Sequence, residues 1–383
     1  MKILVDVRLL SKGKLSGIEG YAKLLIDHLL EADSENQYVF FYNGFKKAVL
    51  PSGWTGKKNV RVVDWRVPNR LLDFSFRWLN WPKIDSFFEP AVVFSPHFNL
   101  LRLHRGVKRV ITFHDLSFVH FPEFYPRRKR FWHWSQDYRR QAGKAAALTA
   151  VSEFTKIDLV ETLGIAPEKI RVVYPGVNSF FSQIRPGDEA LNKFAGQKEL
   201  QCPFLLSVGV LEPRKNIPAL IRAFGLLKGR PDNRDLKLVI VGERGWLYDT
   251  IFKEIQASPY KNQIVWWGRA SFEDLWRLYN LASVFVYPSF FEGFGFPPLE
   301  AQACGLPVVA SNRSSLPEIL GDSALLHDPW RVAELAEAIE AVLANPGLAK
   351  TMREKGFKNV ERFDWPRAGK TMLNLFNDLK NHA

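Results

Sequence analysis

The sequence predicts an α/β protein made of two successive parallel-sheet domains. Strand-like apolar runs alternate with amphipathic helical stretches along most of the chain, the pattern of parallel-sheet folds. The order of strand, small-residue or polar loop and helix that opens the first half starts again near residue 204. A chain of 383 residues is too long for one compact core and comfortable for two domains of ordinary size.

The first strand is expected at residues 3–7, followed by a loop with Ser16, Gly17 and Gly20. A helix over 21–30 comes next, because Ala22, Leu25, Ile26, Leu29 and Leu30 recur at helical spacing. Further strands are expected at 38–42, 91–95, 110–113 and 148–151. The second half has a strand at 204–210, a polar loop at 211–216 and a helix at 217–227, then strands at 237–241, 264–267, 284–287 and 307–310. Residues 1–178 are read as the first domain and 201–364 as the second. Between them, 179–200 is rich in Gly, Pro and polar residues and reads as a linker. A helix in 365–383 is expected to return to the first domain. In such sheets, ligands bind at the carboxyl ends of the strands, where loops meet helix N-termini.

Hydrophobic residues make up 46% and charged residues 24%, a globular balance that excludes a disordered chain. Cys202 and Cys304 lie about a hundred residues apart without a CxxC spacing, so neither a disulfide framework nor a zinc site is expected. A reducing cytoplasm fits. The apolar N-terminal run contains Asp6 and makes a poor signal peptide, and no uncharged apolar stretch approaches the length of a bilayer span. The net charge of +13 suits an anionic partner.

Residues 285–307, FVYPSFFEGFGFPPLEAQACGLP, carry the most chemistry. A buried strand ends at Pro288, a loop with Glu292, Gly293 and Gly295 follows, and Pro297–Pro298 open a short helix with Glu300. Glycines let backbone amides approach a ligand. Two carboxylates eight residues apart can hold the hydroxyl-rich ends of one elongated ligand, and the helix N-terminus its anionic middle. A sugar–diphosphate–ribose has that order of groups.

This segment, from EGFGFPP to VVAS, resembles the E-x7-E signature of family 4 of the retaining glycosyltransferases, which have the GT-B fold. The resemblance implies two Rossmann-like domains facing across a cleft. It implies that Glu292 meets donor-sugar hydroxyls, Glu300 the ribose, and the backbone of Gly293, Phe294, Gly295 and Phe296 the sugar and diphosphate. SVGVLEPRKNIPALIRAF (207–224) resembles the family's loop after the second domain's first strand, with Gly209, and puts Arg214 and Lys215 on the diphosphate. Val210 stands where many members carry Arg, so Arg214 is the candidate for that role. SGIEGYAKLL (16–25) resembles the first-domain donor loop through Gly17; members often have Arg where Gly20 stands. TFHDLSFVHFPEFYP (112–126) resembles the central His-Asp segment and puts His114 near the reacting sugar. WWGRASFEDLW resembles the border of the nucleotide base, with Gly268 and Arg269 as contacts.

The family implies retention at the anomeric carbon. The sequence has no Asp-x-Asp triplet, so neither a metal nor another cofactor is expected, the nucleotide-sugar being a substrate. Attack on the face that the diphosphate leaves is the implied route, with positive charge meeting the departing phosphates. The LEPRKN loop resembles mannosyltransferases of O-antigen and exopolysaccharide assembly, which makes GDP-mannose the first choice of donor and a UDP-hexose the alternative. A non-catalytic nucleotide- or glycan-binding protein is the alternative from another class.

From residue 101 to 144 the chain carries eleven Lys or Arg, with Arg127, Arg128, Lys129 and Arg130 contiguous and Trp132 and Trp134 just beyond. Trp78 and Trp81 lie farther up the chain. Cationic tips beside apolar rings suit an anionic membrane surface. The same mixture serves single-stranded nucleic acid, for which no RNP, KH or helix-turn-helix pattern speaks, or merely solvates a helix. The expected partners are a nucleotide-sugar, a glycan or lipid-linked glycan acceptor and the cytoplasmic membrane face, with no nucleic acid.

Overall fold

The computed structural model describes residues 1–12, 17–44, 50–185 and 187–381; Ser16 of the expected first loop lies outside them. The chain divides into two compact units. Met1–Leu116, Arg127–Gly176 and Asp364–Ala383 form the first, and Ser117–Pro126 with Val177–Phe363 the second.

The first unit holds a seven-stranded parallel sheet of β1 (Lys2–Asp6), β2 (Gln37–Asn43), β3 (Val60–Trp65), β4 (Val92–Ser95), β5 (Lys108–Phe113), β6 (Ala147–Ala150) and β7 (Ile170–Val172), in the order β3-β2-β1-β4-β5-β6-β7. Central strands buried on both faces read as continuous apolar runs, as in β1, where Ile3, Leu4 and Val5 are fully buried. The edges were harder to read. β3 (VRVVDW) is only half-buried and broken by Arg61 and Asp64, and β7 has three residues; both escaped the sequence reading. Helix α1 (Gly17–Ala32) buries the expected stripe of Ala22, Leu25, Ile26, Leu29 and Leu30, together with Tyr21. Each buried Leu or Ile there contributes about 1.5–3 kcal/mol. The C-terminal helix Trp365–Asn381 belongs to this unit and lies along α1, so closely that a Cβ on Gly369 would sit 2.8 Å from the backbone of His28.

The second unit repeats the plan with six parallel strands: β8 (Phe204–Val208), β9 (Lys237–Val241), β10 (Ile264–Gly268), β11 (Val284–Tyr287), β12 (Val308–Ser311) and β13 (Leu325–His327). Their order is β10-β9-β8-β11-β12-β13. Counted within each unit, both sheets begin 3-2-1-4-5-6, and the first adds a seventh strand at its edge, so strand order reverses between β1 and β4 and again between β8 and β11. Ligands of open α/β sheets bind at that reversal, outside the carboxyl ends of the strands.

Residues 179–200, read as a linker, contain a helix, Glu189–Gln197, and group with the second unit. The Asp188 side chain caps it by accepting from Leu191 N–H at 2.8 Å. Phe194 is buried, its ring 6.0 Å from that of Trp267 and 5.3 Å below the Arg277 guanidinium. Gly, Pro and polar residues around the helix disguise it as a loop, because it buries only two residues, Phe194 and Ala195.

Candidate active site

The reversal between β8 and β11 gathers most of the expected donor residues. β8 ends at Val208, Gly209 takes a φ of 156°, and the chain turns through Pro213–Lys215 into the helix Ile217–Lys228. β11 ends at Tyr287, and its loop runs past Glu292 to the helix Phe296–Ala303, which carries Glu300. Gly295 caps that helix at φ 101°, in the left-handed region, and a Cβ there would press Leu316 at 2.9 Å. Serines of the next loop hold the turn. Ser315 Oγ donates to the carbonyls of Glu292 (2.9 Å) and Phe294 (3.1 Å), and Glu292 N–H donates to Ser314 Oγ (2.8 Å).

Four charged side chains meet there. Arg214 donates to Glu292 Oε2 (2.7 Å), to the Phe291 carbonyl (2.6 Å) and, through Nε and Nη2, to Glu212 Oε1 (3.0 and 2.7 Å). Lys215 Nζ donates to Glu292 Oε1 (2.7 Å) and to the Tyr287 hydroxyl (2.6 Å). Glu212 and Glu292 are buried. Burial alone would raise the Glu292 pKa, but Arg214 and Lys215 more than offset it and hold the carboxyl at about 2. Burial lowers the Lys215 pKa, and Glu292 opposes that. Two acids and two bases balance, so the cluster is neutral overall, with a carboxylate fixed in orientation by two cations.

Glu300 sits in other company. It accepts a hydrogen bond from the Tyr279 hydroxyl at 2.9 Å, and burial pushes its pKa up to about 7. Around the expected base region, Gly268 takes φ 72° and its carbonyl accepts from Gly242 N–H at 2.7 Å. Arg269 is exposed and pairs loosely with Glu243 at 3.4 Å. The neighbouring Arg244 guanidinium lies between the rings of Trp266 (4.6 Å), Phe252 (4.8 Å) and Tyr248 (5.4 Å).

The first unit has its own reversal, where Gly17 opens α1. His114 follows β5, its Nε2 donating to the Pro96 carbonyl at 2.9 Å and its ring edge-on to Tyr21 at 4.7 Å. That bond places the proton on Nε2 and leaves Nδ1 as the acceptor, and burial lowers the pKa, so the ring is neutral. The helix Arg127–Ser135 separates the residues that the sequence grouped. Arg127, Arg128, Arg130 and Trp134 are exposed, whereas Lys129 and Trp132 are half-buried, with Trp132 parallel to His97 at 6.2 Å.

Residues 188–359 match the family described as glycosyl transferases group 1, and residues 15–179 match glycosyltransferase family 4. The O-antigen chain mannosyltransferase B of Escherichia coli is 30% identical over 375 residues, covering 95% of this chain and 97% of that protein. The chain belongs to this glycosyltransferase family. The serotype-specific mannosyltransferase WbdA of Escherichia coli is 28% identical over 273 residues, 71% of this chain but 34% of that longer protein. Sucrose-phosphate synthase from Thermosynechococcus elongatus superposes with a TM-score of 0.79 at 20% identity over the whole of both chains. HepE of Anabaena, solved with UDP and glucose, gives 0.74 at 18% identity, covering 98% of this chain and 99% of that one. The fold is therefore GT-B, as the sequence resemblance implied.

For this glycosyltransferase, sequence reasoning named both cations that hold Glu292 but missed Glu212 beside Arg214, Tyr287 beside Lys215 and Tyr279 beside Glu300. Glu212 stands inside the quoted LEPRKN string, and an acid two residues before an Arg was the available signal. Tyr287, at the last position of a buried strand beside the loop, was also within reach. Tyr279 had no local signal, since only the fold brings it to Glu300.

Proposed function

We propose that this glycosyltransferase moves mannose from GDP-mannose to a glycan or lipid-linked glycan acceptor, with retention and without a metal. The observation that carries the reading is the Glu292 carboxylate held between Arg214 and Lys215 at the reversal of the second sheet. The choice of mannose rests on the mannosyltransferases among its relatives. Glu292 receives donor-sugar hydroxyls and Glu300 the ribose. Arg214 and Lys215 lie beside the diphosphate, and their charge is felt most as it departs. Gly209, Gly268, Arg269, Gly293, Phe294, Gly295 and Phe296 border the donor, and Gly17 its phosphates.

In the reaction the bond from C1 to the phosphate oxygen breaks through an oxocarbenium-like state. The acceptor oxygen bonds to C1 on the same face, and its proton passes to the departing phosphate. His114, neutral in the fold, is assigned to the charge that develops on the donor sugar. The acceptor and the exposed cations of helix Arg127–Ser135 suggest work at an anionic membrane on the cytoplasmic side. Among the described residues no helix is long and apolar enough to cross a membrane.

Two measurements test this. A thermal-shift panel with GDP, UDP, ADP and CDP should show selective stabilisation by GDP, and selective stabilisation by UDP would change the donor. NMR of the product from GDP-mannose should show an α-linked mannose; a β-linkage would end the retaining mechanism.

A further inference from the structure

In the first unit, the stretch after β3 has two faces of opposite character. Leu72 and Phe76 belong to the core with Leu4, Val39 and Phe41. The helix Asn69–Phe74 and the π-helical turn Ser75–Leu79 that continues it carry Leu71, Phe74 and Trp78 at spacing i, i+3 and i+7. That spacing puts the three on one face. They are 62%, 57% and 62% exposed, and Leu79 and Trp81 beyond them 64% and 65%. Single exposed apolar residues need no explanation, but five large ones within eleven residues form a patch, and patches mark interaction surfaces.

The patch continues onto the helix Arg127–Ser135. The Arg77 guanidinium lies 4.8 Å from the Trp134 ring and 5.8 Å from that of Trp78, and pairs with Asp137 at 3.1 Å. Trp134 and Phe131, both more than half exposed, have ring centres 5.6 Å apart. Cations rim the whole. Arg70 adjoins Leu71, and Arg127, Arg128 and Arg130 are exposed beside Phe131. Burial and Arg102 lower the Lys83 pKa, Asp85 opposes them, and Lys144 and Arg140 lower it further, so bases outnumber the acid in the group just past Trp81. Of the acids nearby, Asp137 pairs with Arg77 and Asp85 with His104, and Asp73, inside the segment, is half-buried within reach of the Arg8 charge.

We propose that Leu71, Phe74, Trp78, Leu79 and Trp81 insert into the headgroup layer of an anionic bilayer, while the surrounding Arg and Lys side chains bind lipid phosphates. Apolar rings within a cationic rim match the two chemistries of that layer. The inference rests on the membrane reading above, which already set Trp78 and Trp81 beside the basic run, and it goes further by locating the insertion at residues 71–81.

Vesicle flotation without donor tests it. The protein should float with vesicles containing phosphatidylglycerol about tenfold more strongly than with phosphatidylcholine alone, and less at high salt. Leu71→Ser/Trp78→Ser/Trp81→Ser should lower binding to both by about tenfold or more. Arg127→Gln/Arg128→Gln/Arg130→Gln should remove only the anionic preference. Thermal melts check folding, and quenching of wild-type tryptophan fluorescence by nitroxide-labelled lipid supplies a reading without any variant. Wild-type protein that neither floats nor is quenched overturns the proposal. So does a serine variant that is folded and floats unchanged, or a wild-type dimer that this variant dissolves. Donor turnover with a soluble acceptor, measured in parallel, separates the readings: floating without turnover removes the proposed reaction alone, and turnover without floating removes this inference alone.

Discussion

Glu292 and Glu300 lie eight residues apart, and their surroundings drive their protonation in opposite directions. Glu292, buried between two cations, stays ionised to about pH 2. Glu300, half-buried beside a tyrosine, takes up a proton near pH 7. Linkage gives the two opposite signs. The contribution of Glu292 to stability is full above its ordinary value of 4.5 and is lost as pH falls toward 2. Glu300 binds its proton more tightly in the folded chain, so its contribution is full below 4.5 and declines as pH rises to about 7. Glu300→Gln removes that decline. Urea unfolding from pH 4.5 to 8 should therefore show wild type losing stability relative to the variant up to about pH 7 and no further divergence above it. Identical pH dependence in the two proteins would contradict the burial argument. At this scale the sequence exposed both carboxylates and the two cations that hold Glu292, and hid the tyrosine beside Glu300. Pro288, Gly293, Gly295 and Pro297 mark a turn and helix start by their own backbone preferences, whereas Tyr279 reaches Glu300 only after strands and helices have assembled.

Strands buried on both faces were legible, and so was the half-buried β10, whose run at 264–267 no charge interrupts. β1, β4, β5, β8, β9 and β11 read directly, because strands covered on both faces have no polar alternation to confuse them. The half-buried β3 and the three-residue β7 and β13 did not. The pairing of α1 with Trp365–Asn381 was anticipated only in outline, since close approach of two helices depends on one small residue. Gly369 and Gly225 make that dependence testable, because the same substitution should act with opposite signs. A Cβ at Gly369 meets the His28 and Leu29 backbone at 2.8–3.0 Å, so Gly369→Ala should cost about 1–3 kcal/mol. Gly225 lies inside the helix Ile217–Lys228 with nothing within 4 Å of its Cβ position, so Gly225→Ala should stabilise by about 0.5–1 kcal/mol. Chemical unfolding of the two variants measures both signs; destabilisation by Gly225→Ala, or none by Gly369→Ala, would contradict the close-approach account.

In the whole molecule, one plan is used twice: two parallel sheets that share the order of their first six strands, each reversing beside its first strand. The second reversal gathers Arg214, Lys215 and Glu292 from two loops 77 and 78 residues apart in sequence, which no local pattern reveals. Family membership establishes glycosyl transfer as the class of activity, and the charge cluster is where the proposed donor chemistry concentrates. The most direct test is release of GDP from GDP-mannose, followed by mass spectrometry, in wild type and in Glu292→Gln, with folding checked by thermal melt. The expected result is slow release by wild type that Glu292→Gln lowers by at least about a hundredfold. Equal release by the two folded proteins would remove Glu292 from the reaction, and the account built on it.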